Sequence, residues 1–253
     1  MIDMHCHMLP GIDDGAQSTE ESLKMIQMAV KQGIKSFIAT SHASSRFSAS
    51  TPEAVRSLCG QIEQKACKRI DPGIHIYAGQ EIIYTTDLLD LLEKGKYLTL
   101  ADSSWILLEF QPSVPWSVIN NAVRELAMSP YHPILAHVER YHVLEKSTDY
   151  LDELIENGAS LQMNYRSLSG GIFDRRAARC RKLVRDGYIH YLATDMHNTK
   201  ERAPELKEAL NWMRKHLDKD TIEDLCGRNV EKQILRGMNH ERISDRRNEC
   251  SER

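Results

Sequence analysis

Seven short apolar runs, MIDM, SFIAT, HIYAG, WILLEF, PILAH, SLQMN and IHYLAT, punctuate the chain. Each has the length of a strand, and most are followed by a stretch whose apolar residues recur every three or four positions, the period of a helix with one buried face. Ser18 and Glu21 have the spacing of a capping box, after which Leu23, Ile26 and Val30 share a face until Gly33 permits a stop. Thr51 and Pro52 suit the cap and first position of a second helix, with Val55, Leu58, Ile62 and Ala66 as its stripe. Further helical patterns follow Pro115 (Val118, Ala122, Leu126), Asp149 (Leu151, Leu154, Ile155), Asp174 (Ala178, Leu183, Val184) and Pro204 (Leu206, Leu210, Met213). This alternation predicts βα units around a parallel sheet or barrel, and seven strands approach the eight of the common α/β barrel. No internal repeat or long linker interrupts it. The expected organisation is one domain over 1–237, followed by a polar, highly charged and flexible tail over 238–253.

Composition narrows the class. With 253 residues, 41% hydrophobic and 27% charged, the chain can bury a sizeable core. A net charge of -3 and the lack of a sustained basic stretch argue against nucleic acid as a partner. No apolar run approaches the roughly 20 residues that span a bilayer. The apolar start is broken at once by Asp3, His5 and His7, unlike a secretory signal, so a cytoplasmic protein without membrane insertion is expected. Cys6, Cys59, Cys67, Cys180, Cys226 and Cys250 form no C-x-x-C pair, which suits reduced thiols. A cysteine-dependent phosphatase carries Arg six positions after its nucleophile; here those positions hold Ile12, Lys65, Gly73, Asp186 and Lys232.

The ionisable residues fall in a pattern of their own. His5 and His7 end the first run, His42 the second, Glu81 the third and Glu109 the fourth; His137 ends the fifth, and Asp195 and His197 the seventh. A lone histidine or glutamate at a strand end is usually a hydrogen-bonded or solvated residue. Six strands delivering such residues at the same end are harder to explain that way, because the C-terminal rim of an α/β barrel is where active sites are built. Residues two apart on a strand share a face, so His5 can pair with His7, and Asp195 with His197 if the strand continues, while Cys6 points away. Imidazole and carboxylate together suit Zn²⁺, Mn²⁺ or Fe in an open hydrolytic site. The turn PGIDDG adds Asp13 and Asp14, which the pattern alone does not separate.

The motifs DMHCHMLPGIDDG, ATSH, GQEI, LLEF, AHVERY, QMNYRSLSG and ATDMHN, in this order, resemble those of the PHP (polymerase and histidinol phosphatase) superfamily. Within it they are most similar to the bacterial CpsB/CapC-type protein-tyrosine phosphatases of capsule and exopolysaccharide synthesis, over roughly residues 1 to 235. The resemblance implies a distorted (β/α)7 TIM-like barrel holding three divalent metal ions, Mn²⁺ first among them, with Zn²⁺, Fe or Mg²⁺ as alternatives. It implies His5, His7, Glu81 and Asp195 on one metal, a bridging Glu81 with Glu109 and His137 on the second, and Asp14, His42 and His197 on the third. It thereby chooses Asp14 over Asp13. The chain departs from the usual pattern at TSHA, HVERY and TDMH, where loop geometry and substrate fit are affected and no implied ligand is lost.

Phosphomonoester hydrolysis needs an in-line nucleophile and compensation for charge on the phosphoryl oxygens, and clustered divalent ions can provide both. The expected reaction is therefore attack by a metal-bridging hydroxide on phosphotyrosine, with no phosphoenzyme. Arg140 and Arg202 stand beside the proposed ligands, where a guanidinium can bind two phosphate oxygens; the alternative for each is an ion pair with Glu139 or Glu201. A phenolate with a pKa near 10 leaves readily, and no general acid is assigned. Phe110, Tyr141 and Tyr165 follow rim positions, either lining an entrance or packing in the core. The resemblance implies a phosphotyrosine-bearing partner, the tail of a bacterial tyrosine kinase. The competing readings are a phosphatase or phosphodiesterase for a small metabolite such as histidinol phosphate, and a catalytically silent metal-binding regulator of a kinase.

Overall fold

The computed structural model describes residues 1–145, 147–171 and 173–237. The seven expected strands form as β1 (Ile2–Cys6), β2 (Ser36–Ala43), β3 (His75–Ile83), β4 (Trp105–Glu109), β5 (His132–Leu135), β6 (Ser160–Asn164) and β7 (Tyr191–Ala193). They lie side by side in chain order, each parallel to the next. A bridge from Cys6 to Met196 brings the ends together, giving a nearly closed barrel flanked by helices. The expected polar tail, 238–253, lies outside the described residues.

The helices start where their caps predict. In α1 (Thr19–Val30) the Ser18 side chain accepts from the Glu21 amide at 3.2 Å, while Glu21 reaches back one residue further than a standard box, to the Gln17 amide at 3.0 Å. Thr51 caps α2 (Pro52–Arg69) with Pro52 in its first turn. Then come α3 (Leu88–Glu93), α4 (Trp116–Ala127), α5 (Asp149–Glu156), α6 (Arg175–Arg185), α7 (Lys207–His216) and α8 (Lys219–Glu223). Two stripes are turned by one position from the expectation. Ile119, Ala122, Val123 and Leu126 are buried in α4 while Val118 is 37% exposed, and Ala177 replaces Ala178 in α6. The short α3 and α8 carry too few periodic residues to be seen in the pattern.

Strand alternation divides the interior into two cores. Outward side chains such as Phe37, Ile82, Leu108 and Leu161 pack under the helices. Inward ones, Met4, Ile38, Leu107, Ile134 and Ala193, form a smaller core inside the barrel. Its base is closed by Leu100 and by Val230 and Ile234 from the C-terminal π-helical turns (Asp224–Arg228 and Val230–Ile234). Gly227, at φ +149, lets this segment approach β1; a Cβ there would stand 2.8 Å from the Ile2 amide nitrogen. Among the described residues no helix is long and apolar enough to cross a membrane.

On β1 the alternation is broken. Asp3 pairs with Phe37 and Cys6 with Ala39, so three steps on β1 face two on β2, and the strand carries a bulge. Met4 can therefore point into the inner core while His5 and His7 also face inward and Cys6 packs in the outer core. Below the rim there is little room, since a Cβ on Gly79 would lie 2.9 Å from Ile38 Cγ2 and 3.0 Å from Leu100 Cδ2. Gly79→Val is expected to destabilise the fold by about 1–3 kcal/mol through overpacking. Gly60→Ala in α2, where an added Cβ meets nothing within 4 Å, should stabilise it by roughly 0.5–1 kcal/mol. Urea unfolding of both variants checks the pair of signs.

Candidate metal centre

All nine predicted ligand residues converge at the C-terminal mouth. His5 Nε2 stands 3.3 Å from His7 Nε2 and 3.2 Å from Glu81 Oε2. His7 Nε2 is 3.1 Å from the same oxygen, and Asp195 Oδ1 lies 3.6 Å and 3.7 Å from the two imidazoles. Donor atoms about 2.1 Å from a shared divalent ion stand roughly 3–3.5 Å apart, so this grouping has the spacing of a ligand set. Glu81 faces two ways, with Oε2 toward His5 and His7 and Oε1 2.8 Å from His137 Nε2. Glu109 joins that second side, 3.5 Å from His137 Nε2 and 3.5 Å from His42 Nδ1. Asp14 Oδ1 lies 3.5 Å from His42 Nε2 and 3.4 Å from His197 Nε2, and with His7 these residues can supply four donors within 4.8 Å of one another.

What lies behind the imidazoles is as informative as what lies in front. His5 Nδ1 donates to Gln162 Oε1 at 3.0 Å, His7 Nδ1 to Asp13 Oδ2 at 2.8 Å and His197 Nδ1 to the Asp195 carbonyl at 3.0 Å. Each acceptor holds the proton on Nδ1 and leaves the Nε2 lone pair aimed at the centre, the arrangement that orients histidine on a metal. Gln162 is itself fixed, since Oε1 also accepts from the His137 amide at 2.8 Å and its amide nitrogen donates to Asn164 at 2.9 Å. The two aspartates of the turn thus separate. Asp14 faces the cluster; Asp13 holds His7 and accepts from the His42 and Gly15 amides at 3.0 Å and 2.9 Å.

The charges agree with this geometry. Burial pushes His42 down, and burial with the neighbouring His7 pushes His197 down to about 4, so both are neutral imidazoles. His42 Nδ1 and His197 Nε2 are buried without a hydrogen-bond partner, although carboxylate oxygens stand 3.1 Å and 3.4 Å away. A cation would satisfy both. Burial works against ionisation of Glu81 and Asp195, but His5 and, respectively, His137 and Arg140 outweigh it and hold both carboxyls well below the usual range. The close approach of His197, with His42 and His7 beside it, does the same for Asp14. Burial would lower His7 and His137; instead Asp13 and Glu81 raise the first, and Glu109 and Glu81 raise the second to about 9. A divalent ion held by these carboxylates would compete with the protons on His7 and His137.

Both predicted arginines reach the same carboxylate. Arg140 Nη2 donates to Asp195 Oδ2 at 2.5 Å, Arg202 Nη2 to Asp195 Oδ1 at 3.0 Å, and Asn164 Nδ2 to Asp195 Oδ2 at 2.8 Å. The alternative pairing of Arg140 with Glu139 does not form, because Glu139 turns inward to accept from the Asn164 amide and Ser167 Oγ at 3.1 Å and 2.6 Å. The arginine side chains are a third exposed, and both line a cavity of about 220 Å³ with Asp14, His42, Glu81, Glu109, His137 and Asp195.

Phe110, Tyr141 and Tyr165 do not line this entrance. They are buried, and the Tyr141 hydroxyl accepts from the Phe110 amide at 3.1 Å. Their place is taken by Arg46 and Phe47 from the turn between β2 and α2. Gln162 and Asn164 are further residues that no ligand pattern marks, and Asp13, which the sequence could not separate from Asp14, orients His7 rather than facing the cluster. Gln162 and Asn164 carried a signal nonetheless, as two polar residues sharing the inward face of the apolar run SLQMN.

A parallel barrel that gathers histidines, carboxylates and two arginines at its C-terminal mouth defines the class of metal-dependent barrel hydrolases. The chain belongs to the CpsB/CapC family of capsular polysaccharide synthesis, whose family profile matches residues 1–236. It is 35% identical over 215 residues to tyrosine-protein phosphatase YwqE of Bacillus subtilis, covering 85% of this chain and 84% of that protein. It is 30% identical over 236 residues to tyrosine-protein phosphatase CpsB of Streptococcus agalactiae, with 91% and 97% covered. A crystal structure from work describing YwqE of Bacillus subtilis and CpsB of Streptococcus pneumoniae as metal-dependent tyrosine phosphatases superposes with a TM-score of 0.84, at 32% identity, over 94% of this chain and 96% of the other. The phosphotriesterase homology protein of Escherichia coli, at 10% identity and a TM-score of 0.51, shares the fold alone.

Loss of a group that orients a metal-bound histidine typically costs 10- to 100-fold in metal affinity. Asp13→Ala should weaken metal binding by roughly that factor, while Asp13→Asn, which keeps an acceptor, should retain most of it. Competition with a chromophoric chelator measures both; equal affinities for wild type and Asp13→Ala would refute the orienting role.

Proposed function

We propose that this protein is a metal-dependent protein-tyrosine phosphatase, its residues 1–237 forming a single catalytic domain. The observation that carries this reading is the convergence of nine histidine and carboxylate residues at one barrel mouth, six of them lining a cavity with two guanidiniums, in a family whose relatives are named tyrosine-protein phosphatases. The donor set fits three divalent ions, Mn²⁺ foremost: His5, His7, Glu81 and Asp195 would hold one, Glu81, Glu109 and His137 a second, and Asp14, His42 and His197 a third. Such ions, when bound, lower the pKa of water and neutralise charge on phosphoryl oxygens.

The chain's own residues supply the positioning. Arg140 and Arg202, held at fixed separation by the two oxygens of Asp195, present unused N–H groups to the cavity and can take a phosphate by its outer oxygens. Because Asp195 also faces His5 and His7, the phosphate is registered against the ligand cluster rather than merely attracted to it. A phenolate leaving group, with a pKa near 10, needs little protonation, and no general acid is assigned. The proposed substrate is a phosphotyrosine-bearing protein, the tail of a bacterial tyrosine kinase in capsule or exopolysaccharide assembly, which would place the enzyme in the cytoplasm.

The reading is tested with chelated protein reloaded with Mn²⁺, comparing steady-state hydrolysis of a phosphotyrosine peptide and of histidinol phosphate. Preference for the peptide is expected; preference for histidinol phosphate would move the enzyme to small metabolites, and no turnover of either with retained phosphopeptide binding would make it a silent regulator. Glu81→Ala should abolish turnover by orders of magnitude with the fold intact by circular dichroism. Arg140→Ala should lower kcat/KM about a hundredfold, the usual consequence of removing one donor to a developing oxyanion; unaltered kinetics would remove Arg140 from the phosphate site.

A further inference from the structure

Arg46 is the cation of the cavity wall that the chemistry above leaves unused. Arg140 and Arg202 are each committed to Asp195, whereas among the described residues no carboxylate or hydrogen bond engages the guanidinium of Arg46. It is exposed to solvent, yet it is not loosely placed. Its guanidinium lies over the Phe47 ring, 5.1 Å from the centroid, and Phe47 stacks on the ligand-cluster imidazole of His42 with centroids 5.3 Å apart and planes 10° from parallel. The loop that carries the pair is tied to the barrel. Buried Ser50 takes hydrogen bonds from Gln80 of β3, at 2.6 Å to its carbonyl and 3.3 Å to its hydroxyl, and the Ser50 amide donates to the Phe47 carbonyl at 2.9 Å. An unpaired arginine held in place at the mouth of a reaction cavity is a site waiting for an anion.

We infer that Arg46, supported on Phe47, is a subsite for a carboxylate side chain next to the phosphotyrosine, so that the enzyme selects acidic sequence flanks. This rests on the phosphotyrosine reading above. Arg46 and Phe47 line the same cavity as Arg140 and Arg202, so a tyrosine whose phosphate is held by those two arginines would bring its neighbouring peptide residues within reach of Arg46. A planar guanidinium fixed on a ring pairs with a carboxylate in two parallel hydrogen bonds and loses little conformational freedom in doing so. The pair forms at a solvent-exposed rim, so it contributes to substrate capture rather than to the chemical step.

The test uses full-length, metal-loaded protein and three phosphotyrosine peptides differing only in flanking pairs of glutamate, alanine or lysine. Wild type should show a KM for the glutamate peptide roughly three- to fivefold below that for the alanine peptide, the range of an exposed ion pair, with the lysine peptide weakest. Arg46→Ala should level the three KM values, and Arg46→Glu should reverse the order in favour of lysine. Absence of a flank preference in wild type, its persistence in Arg46→Glu, or an equal fall in kcat for all three peptides in Arg46→Ala would overturn the subsite. Fluorescence anisotropy with the same peptides carrying a non-hydrolysable phosphonate separates the two levels of inference. Flank-dependent binding without any phosphotyrosine hydrolysis would remove the phosphatase reading and leave the subsite standing, whereas hydrolysis with flank-independent binding would do the reverse.

Discussion

The metal centre depends on the seam where the barrel closes. β1 and the turn after β7 are joined by two backbone hydrogen bonds of 2.9 Å, from the Asp195 amide to the His5 carbonyl and from the His7 amide to the Met196 carbonyl. Below them the buried carboxylate of Asp3 accepts from the Thr194 amide and hydroxyl at 3.0 Å and 2.5 Å. The backbones of His5, His7 and Asp195 make these bonds while their side chains face the cluster, so closing the barrel and bringing these groups together are the same event. The seam also has a conformational cost, since Asp195 sits at φ 52, outside the conformations an L-residue prefers. His137, at φ 34 beyond the end of β5, is a second such residue. In both, a side chain is swung over the mouth just past the point where regular strand geometry ends.

Asp195 couples two functions that could have been separate. One oxygen faces the His5 and His7 imidazoles and binds Arg202; the other binds Arg140 and Asn164. The carboxylate that faces the imidazole cluster is therefore also the anchor of both cavity guanidiniums. Any shift of one is transmitted to the other, because a single carboxylate fixes the guanidiniums relative to the imidazoles. Asn164 extends this framework to β6, and Gln162 on the same strand face holds both His5 and the His137 backbone. Two neutral amides on one short strand thus brace the candidate ligands His5, His137 and Asp195.

Much of this was legible in the sequence, because it depends on periodicity. The strand order, the helix starts at Ser18, Thr51 and Asp174, and the inward placement of His42, Glu81 and Glu109 follow from alternation and capping chemistry that act over a few residues. What escaped was set by tertiary context. The β1 bulge shows only in pairing with β2, and without it Met4 and His5 could not both face inward. Asp13 and Asp14 are chemically identical neighbours, distinguished only by what the turn brings to each. Phe110, Tyr141 and Tyr165 were ambiguous because a rim aromatic fits core and entrance equally well, and the short α3 falls below the length at which a helical period can be recognised.

The floor of the barrel decides how strongly the rim can act. Immediately beneath the donors the inward positions are apolar, Met4, Ile38, Leu107 and Ile134, and Val230 and Ile234 cover them from below. Water is excluded from that side, so charges at the mouth interact through a medium less screening than solvent. This explains why carboxyls as crowded as Glu81 and Asp195 remain ionised through their imidazole and guanidinium partners. The C-terminal segment, remote from the chemistry in sequence, thereby helps to set the electrostatics of the centre. Gly227, which permits its contact with Ile2, belongs to the same functional structure as the histidines that begin four residues into the chain.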